Sequence, residues 1–149
     1  DTDNAEANVY FRRRYSARYT GVFGFQYYTC VLRSLGGNEG ELELFKHYPL
    51  PNRWHHDPLK SASISNFDQG AWHLVEAEIE DVAEGARIKC YLNGVEQIDH
   101  TDHTLNVPGG EDDYAPLDHG NVGLAVGKRA DTPAGDQMAS FDNVLVIEK

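Results

Sequence analysis

The sequence is short of positive charge. Lys and Arg number 13 against 24 Asp and Glu, a formal net charge of −11. Nucleic acid and anionic membrane surfaces need clustered cations, so this balance argues against both as partners. The one basic cluster, Arg12-Arg13-Arg14 with Arg18, reads as an anion site or, more simply, as the wet face of a strand beside many acids. No apolar run approaches the roughly 18–20 residues of a membrane-spanning helix, which excludes that mode of insertion. Helical periodicity is missing throughout, and so are a Gly-rich phosphate loop, a nucleophile elbow and an N-glycosylation sequon. A signal-like start and an initiator Met are also missing, since the chain opens at Asp1. The expectation is a processed mature protein or a domain cut from a longer one.

Cysteine is scarce as well: Cys30 and Cys90 are the only two. Neither has a close ligand neighbour, which argues against zinc. By strand parity Cys30 shares a face with Tyr28 and Leu32, and Cys90 with Ile88 and Leu92, so both point to the apolar side. They fit either a disulfide or two buried free thiols.

What is present is a core-forming chain. Of its 149 residues, 40% are hydrophobic and 11% aromatic, which excludes disorder and suits one domain over residues 1–149. Its centre is the stretch 72–100. WHLVEAEIE alternates, a turn falls at Glu84-Gly85, ARIKCYL alternates again, and Asn93-Gly94 turns the chain into VEQIDH. Asn-Gly between alternating runs is a strong hairpin signal, because a type I′ turn needs positive φ twice. Trp72 is expected to open this meander and to cover the core. Further strands are expected in ANVYFRRR, YYTCVLRS, ELELFKH, KSASISN, NVGLAV and the closing MASFDNVLVIEK. Residues 48–60 and the stretch after His100 read as long loops rich in Pro, Gly and Asp. About nine short strands with turn clusters between them predict an antiparallel sandwich.

The order of these pieces resembles the concanavalin A-like, laminin G-like jelly-roll superfamily. The residues that carry it are Tyr27-Tyr28, the run from Gly40 to Lys46, Trp72, the run from Gly85 to Gly94, Asp99 with Asp102, the run from Gly120 to Leu124, and Phe141-Asp142-Asn143-Val144. The resemblance covers the chain from about residue 27 onward. It implies an all-β fold, an antiparallel two-sheet jelly-roll sandwich. It also implies secreted or cell-surface modules that bind carbohydrate or protein, glycoside hydrolases among the relatives, and frequently a structural calcium ion.

Several side chains are candidates for chemistry. Alternation puts Glu76, Glu78 and Glu80 on one strand face, opposite Val75, Ala77 and Ile79. The plain reading is a solvated face. Retaining beta-glucanases of the resembled superfamily use a Glu-x-Asp-x-Glu strand, which would make Glu76 the nucleophile and Glu80 the acid/base, with Glu78 standing for the shorter Asp. A retaining pair needs carboxyls about 5–5.5 Å apart, whereas residues i and i+4 of a strand lie roughly 13 Å apart at the backbone.

For ligand binding, Tyr48, Trp54, His55 and His56 in the proline-rich stretch and Tyr114 in the later one are the candidates. Exposed rings stack on the apolar faces of sugars, although Trp54 could equally cover the edge of the core. Glu111, Asp112, Asp113 and Asp118 crowd one loop, as a hard cation would require, and Asp142 is a further calcium ligand by resemblance. His100 and His103, with Asp99 and Asp102, would face opposite sides of an extended chain, which disfavours a transition-metal site.

The function expected is a non-catalytic extracellular carbohydrate-binding or adhesion module. Its partner would be a polysaccharide or glycan, with protein partners or self-association in the adhesive form. The alternatives are a glycoside hydrolase using Glu76 and Glu80, and a structural subunit of a filament, coat or matrix.

Overall fold

Period-two alternation becomes strand in nearly every segment placed. The structure, a computed structural model, describes residues 5–15, 25–50, 53–103, 117 and 120–128, and not the side chains of 5, 13–15, 48–50, 53–56 and 126–128. Eight strands are present: β1 Ala5–Tyr15, β2 Phe25–Gly36, β3 Glu39–Leu50, β4 Arg53–Ser65, β5 Val75–Val82, β6 Gly85–Leu92, β7 Val95–His103 and β8 Asn121–Lys128. There is no helix among the described residues. One sheet has the order β4-β3-β2-β1-β8 and the other β5-β6-β7, and every pairing is antiparallel.

The sheets pack face to face as an all-β sandwich. Their shared core holds Tyr28, Cys30, Leu42, Leu44, Ile88, Cys90, Ile98 and Leu117, all fully buried, with Phe11, Leu32, Phe67 and Leu92 close behind. The parity expected for both cysteines holds, and a Cys30–Cys90 disulfide joins them across the core, Cα to Cα 6.5 Å.

Ties join strands of one sheet to strands of the other. β2 and β6 share the disulfide. From β3, Lys46 reaches Asp102 of β7 at 2.6 Å. On β4, Lys60 Nζ donates to the Asp99 carbonyl of β7 at 2.8 Å. Arg12 of β1, at φ 51° in the bulge between Phe11 and Arg14, reaches Asp81 of β5 at 2.6 Å. The bulge re-aims that arginine toward the opposite sheet.

The Asn93-Gly94 turn forms as expected, with φ of 52° and 76°. Two expectations are corrected. Residues 48–60 are not a loop: β3 runs to Leu50, β4 starts at Arg53, and Tyr48 pairs with His55 and Pro49 with Trp54. Pro58 is tolerated because β4 is an edge strand of its sheet, and Pro49 lies past the last β2–β3 register pair, Tyr27 with His47. Trp72 neither opens a strand nor covers the core. It precedes β5 and is 71% exposed. Phe67 takes the end of the core instead, packed so close to Gly40 that a Cβ there would lie 2.7 Å from its ring. His73 stacks on Phe67 at 4.6 Å.

Candidate ligand-binding site

Strand β2 is buried on both faces. Its even residues face the core, and its odd residues, Tyr27, Thr29, Val31 and Arg33, lie on the outer face of the five-stranded sheet. Cross-strand register sets Tyr10 beside Thr29, His47 beside Tyr27 and Phe45 beside Thr29. These rings form a row. Tyr27 stacks on His47 at 4.3 Å and meets Tyr10 edge-on at 5.4 Å, while Phe45 lies 5.9 Å from His47. Tyr10 lies over Gly123 of β8, where a Cβ would come within 2.5 Å of the ring, and its hydroxyl donates to the Leu124 carbonyl at 3.1 Å.

Polar groups adjoin the row. Thr29 is 2% exposed, and its Oγ1 is buried with no hydrogen-bond partner among the described residues. Such a hydroxyl is uncommon in folded proteins. Further along the same face, Arg33 meets Glu43 at 2.6 Å, Glu6 at 2.8 Å and Glu41 at 3.6 Å. Three carboxylates around one guanidinium leave this end net negative.

The outer face of the three-stranded sheet differs. Glu76, Glu78 and Glu80 all lie on it, exposed. Glu78 accepts from the Tyr91 hydroxyl at 3.1 Å and Glu80 pairs with Arg87 at 3.4 Å. Partial desolvation and then Glu78 raise the Tyr91 pKa. Arg87 makes two hydrogen bonds to Asp99, which hold that carboxyl below its usual range. The three glutamates thus sit on an open charged face, Glu78 and Glu80 with separate partners.

Between the sheets lies a buried polar cluster. Asp102 Oδ2 accepts from the Tyr28 hydroxyl at 2.5 Å and from Lys46 Nζ at 2.6 Å, and the Tyr28 oxygen accepts from the Leu117 amide at 3.1 Å. Burial, then Asp102, pushes the Tyr28 hydroxyl far above the ordinary range, so it stays protonated.

Of the ligand candidates drawn from sequence, Tyr48, Trp54, His55 and His56 fall in the β3–β4 hairpin end, continuing directly from His47 of the ring row, with their side chains outside the described residues. Tyr114, Asp112, Asp113, Asp118 and Asp142 lie outside the described residues altogether. Among those described, no group of three or more His, Cys, Asp or Glu gathers as a metal site would. Sequence reading missed Tyr10, Tyr27, Phe45 and His47. Parity was the available signal, because Tyr27, Thr29 and Val31 make a second apolar face on a strand already supplied with one.

Comparison with protein families, curated proteins and solved structures returned no match for this chain.

Proposed function

We propose that this chain is a non-catalytic carbohydrate-binding or adhesion module of the concanavalin A-like, laminin G-like jelly-roll kind, and that it takes glycan on the outer face of the five-stranded sheet. The observation that carries this reading is the row Tyr10, Tyr27, His47 and Phe45 around the unpartnered Thr29 hydroxyl. Rings give a sugar's C–H face a stacking surface, and the carboxylates beside them suit sugar hydroxyls. Trp54 and His56, the register partners of Pro49 and His47, are the candidates to extend the site at the hairpin end, Tyr48 and His55 hold the alternate positions of the same strands, and Tyr114 is a further candidate. A cross-sheet disulfide fits an oxidising compartment, which supports a secreted or cell-surface location. A structural calcium ion bound through Asp112, Asp113, Asp118 or Asp142 belongs to the same reading.

Calorimetric titration with neutral gluco-, galacto- and manno-oligosaccharides tests it. Tyr27→Ala, with its fold verified by circular dichroism, is expected to weaken binding at least about tenfold, or ~1.4 kcal/mol. Failure of the wild-type protein to bind any glycan, or equal affinity in the variant, would remove the reading.

A further inference from the structure

We propose that Lys46 and Asp102 condense to an amide, a covalent cross-link between β3 and β7 formed by the chain on itself. The two groups are already in contact. Nζ lies 2.6 Å from Oδ2, and the side chains are 4% and 6% exposed. Asp102 Cγ is one C–O bond further on.

Two features distinguish this pair from a surface ion pair. One is that a single oxygen receives both donors. Lys46 and Tyr28 both point at Oδ2. The Tyr28 oxygen accepts the Leu117 amide and donates its only proton to Asp102. That concentrates proton donors on the atom that must leave. The other is preorganisation. Lys46 follows Leu42 and Leu44 on the inner face of β3, and Asp102 lies on β7 beyond the fully buried Ile98. The Cys30–Cys90 disulfide and the Lys60–Asp99 hydrogen bond fix the neighbouring strand pairs. Held in such proximity, reacting groups reach effective molarities of about 10⁵–10⁸ M. A dry core also removes the hydration that keeps an ammonium and a carboxylate charged and inert.

The step balances without a co-reactant. Proton transfer from Nζ to the carboxyl turns the ion pair into an amine and an acid with no change in net charge. The nitrogen lone pair attacks Cγ, the N–Cγ bond forms, and the Cγ–Oδ2 bond breaks. Of the three ammonium protons, two leave on Oδ2 as water and one stays on the amide. Tyr28 relays the second proton and ends unchanged. Its hydroxyl is suited to this because burial keeps it protonated. The cross-link stands independently of any ligand on the outer face.

Intact-mass spectrometry of the folded full chain, denatured and reduced just before measurement, decides the matter. The wild-type protein is expected to be lighter than its sequence mass by one water. Trypsin is expected to leave the bond after Lys46 uncut and to release a branched peptide carrying both Lys46 and Asp102. Lys46→Arg keeps the charge and removes the nucleophile, and it should restore the full mass, as should Asp102→Ala. Tyr28→Phe should leave a fraction of full-mass protein. A folded wild-type chain at full mass that trypsin cleaves after Lys46 overturns the proposal, however the variants behave. Retention of the mass loss in Lys46→Arg overturns the assignment to these residues.

Discussion

His100 is half-buried on β7, and burial first of all holds its imidazole pKa below the usual 6.5. Lys60 and His103 act in the same direction, and Asp102 and Asp57 oppose it. The folded chain therefore binds this proton less readily than the unfolded chain does. Its contribution to stability is complete above about pH 6.5 and is lost as pH falls through 6.5 toward the lower folded value. Urea midpoints measured from about pH 7.5 down to 5.5 should fall for the wild type and fall less for His100→Gln. Equal slopes for the two proteins would show that His100 does not drive the change. At this scale the sequence was only partly legible. Parity placed both cysteines correctly, and it also sets Lys46 inward after Leu42 and Leu44. Its carboxylate, Asp102, is 56 positions away. No local pattern reveals a partner at that separation, because sheet packing alone brings the two together.

Gly85 shows what an element demands of one position. It opens β6 at φ 146°, and a Cβ there would collide with the Asp102 carbonyl oxygen of β7. Gly85→Ala therefore combines a strained backbone with a backbone clash at the entrance to the central strand of its sheet. It should cost roughly 1–3 kcal/mol, read as a lower denaturant midpoint at unchanged slope. The turns around β6 were legible beforehand, because the residues that permit positive φ are few and conspicuous. The ends of β3 and β4 were not. Prolines at 49, 51 and 58 suggest a loop, yet Pro58 sits on β4 at the edge of the five-stranded sheet and Pro49 lies past the last β2–β3 register pair. Trp72 misled for a related reason. Its size suggests burial, but whether a side chain is covered depends on which segment reaches the core first, and Phe67 fills that place.

At the scale of the molecule, the sandwich depends on cross-sheet ties as well as apolar area. Cys30–Cys90 closes a loop of 60 residues. By the chain-entropy model, replacing both cysteines with alanine should cost about 4 kcal/mol. Chemical denaturation of the double variant against the oxidised wild type measures it, and a difference below ~1 kcal/mol would show that the unfolded chain is barely constrained by the bond. The sandwich was legible from turn spacing and alternation. The candidate face was not, since its rings come from β1, β2 and β3 and only sheet pairing brings them side by side. On β2 parity put Tyr28 with Cys30 and Leu32 on the apolar side, as the structure has them, but nothing local to the strand says that Tyr27 on the other face gathers with Tyr10, Phe45 and His47.

The four ties have a mechanical consequence. β1, β2, β3 and β4 are each fastened to a strand of the opposite sheet, by an ion pair, a disulfide, a buried Lys–Asp contact and a side chain-to-carbonyl hydrogen bond respectively. A load that tries to slide one sheet past the other engages these fasteners side by side instead of one after another. Resistance to shear is thereby shared across the width of the sandwich, and the loss of one weak fastener transfers load to its neighbours before the layers can part.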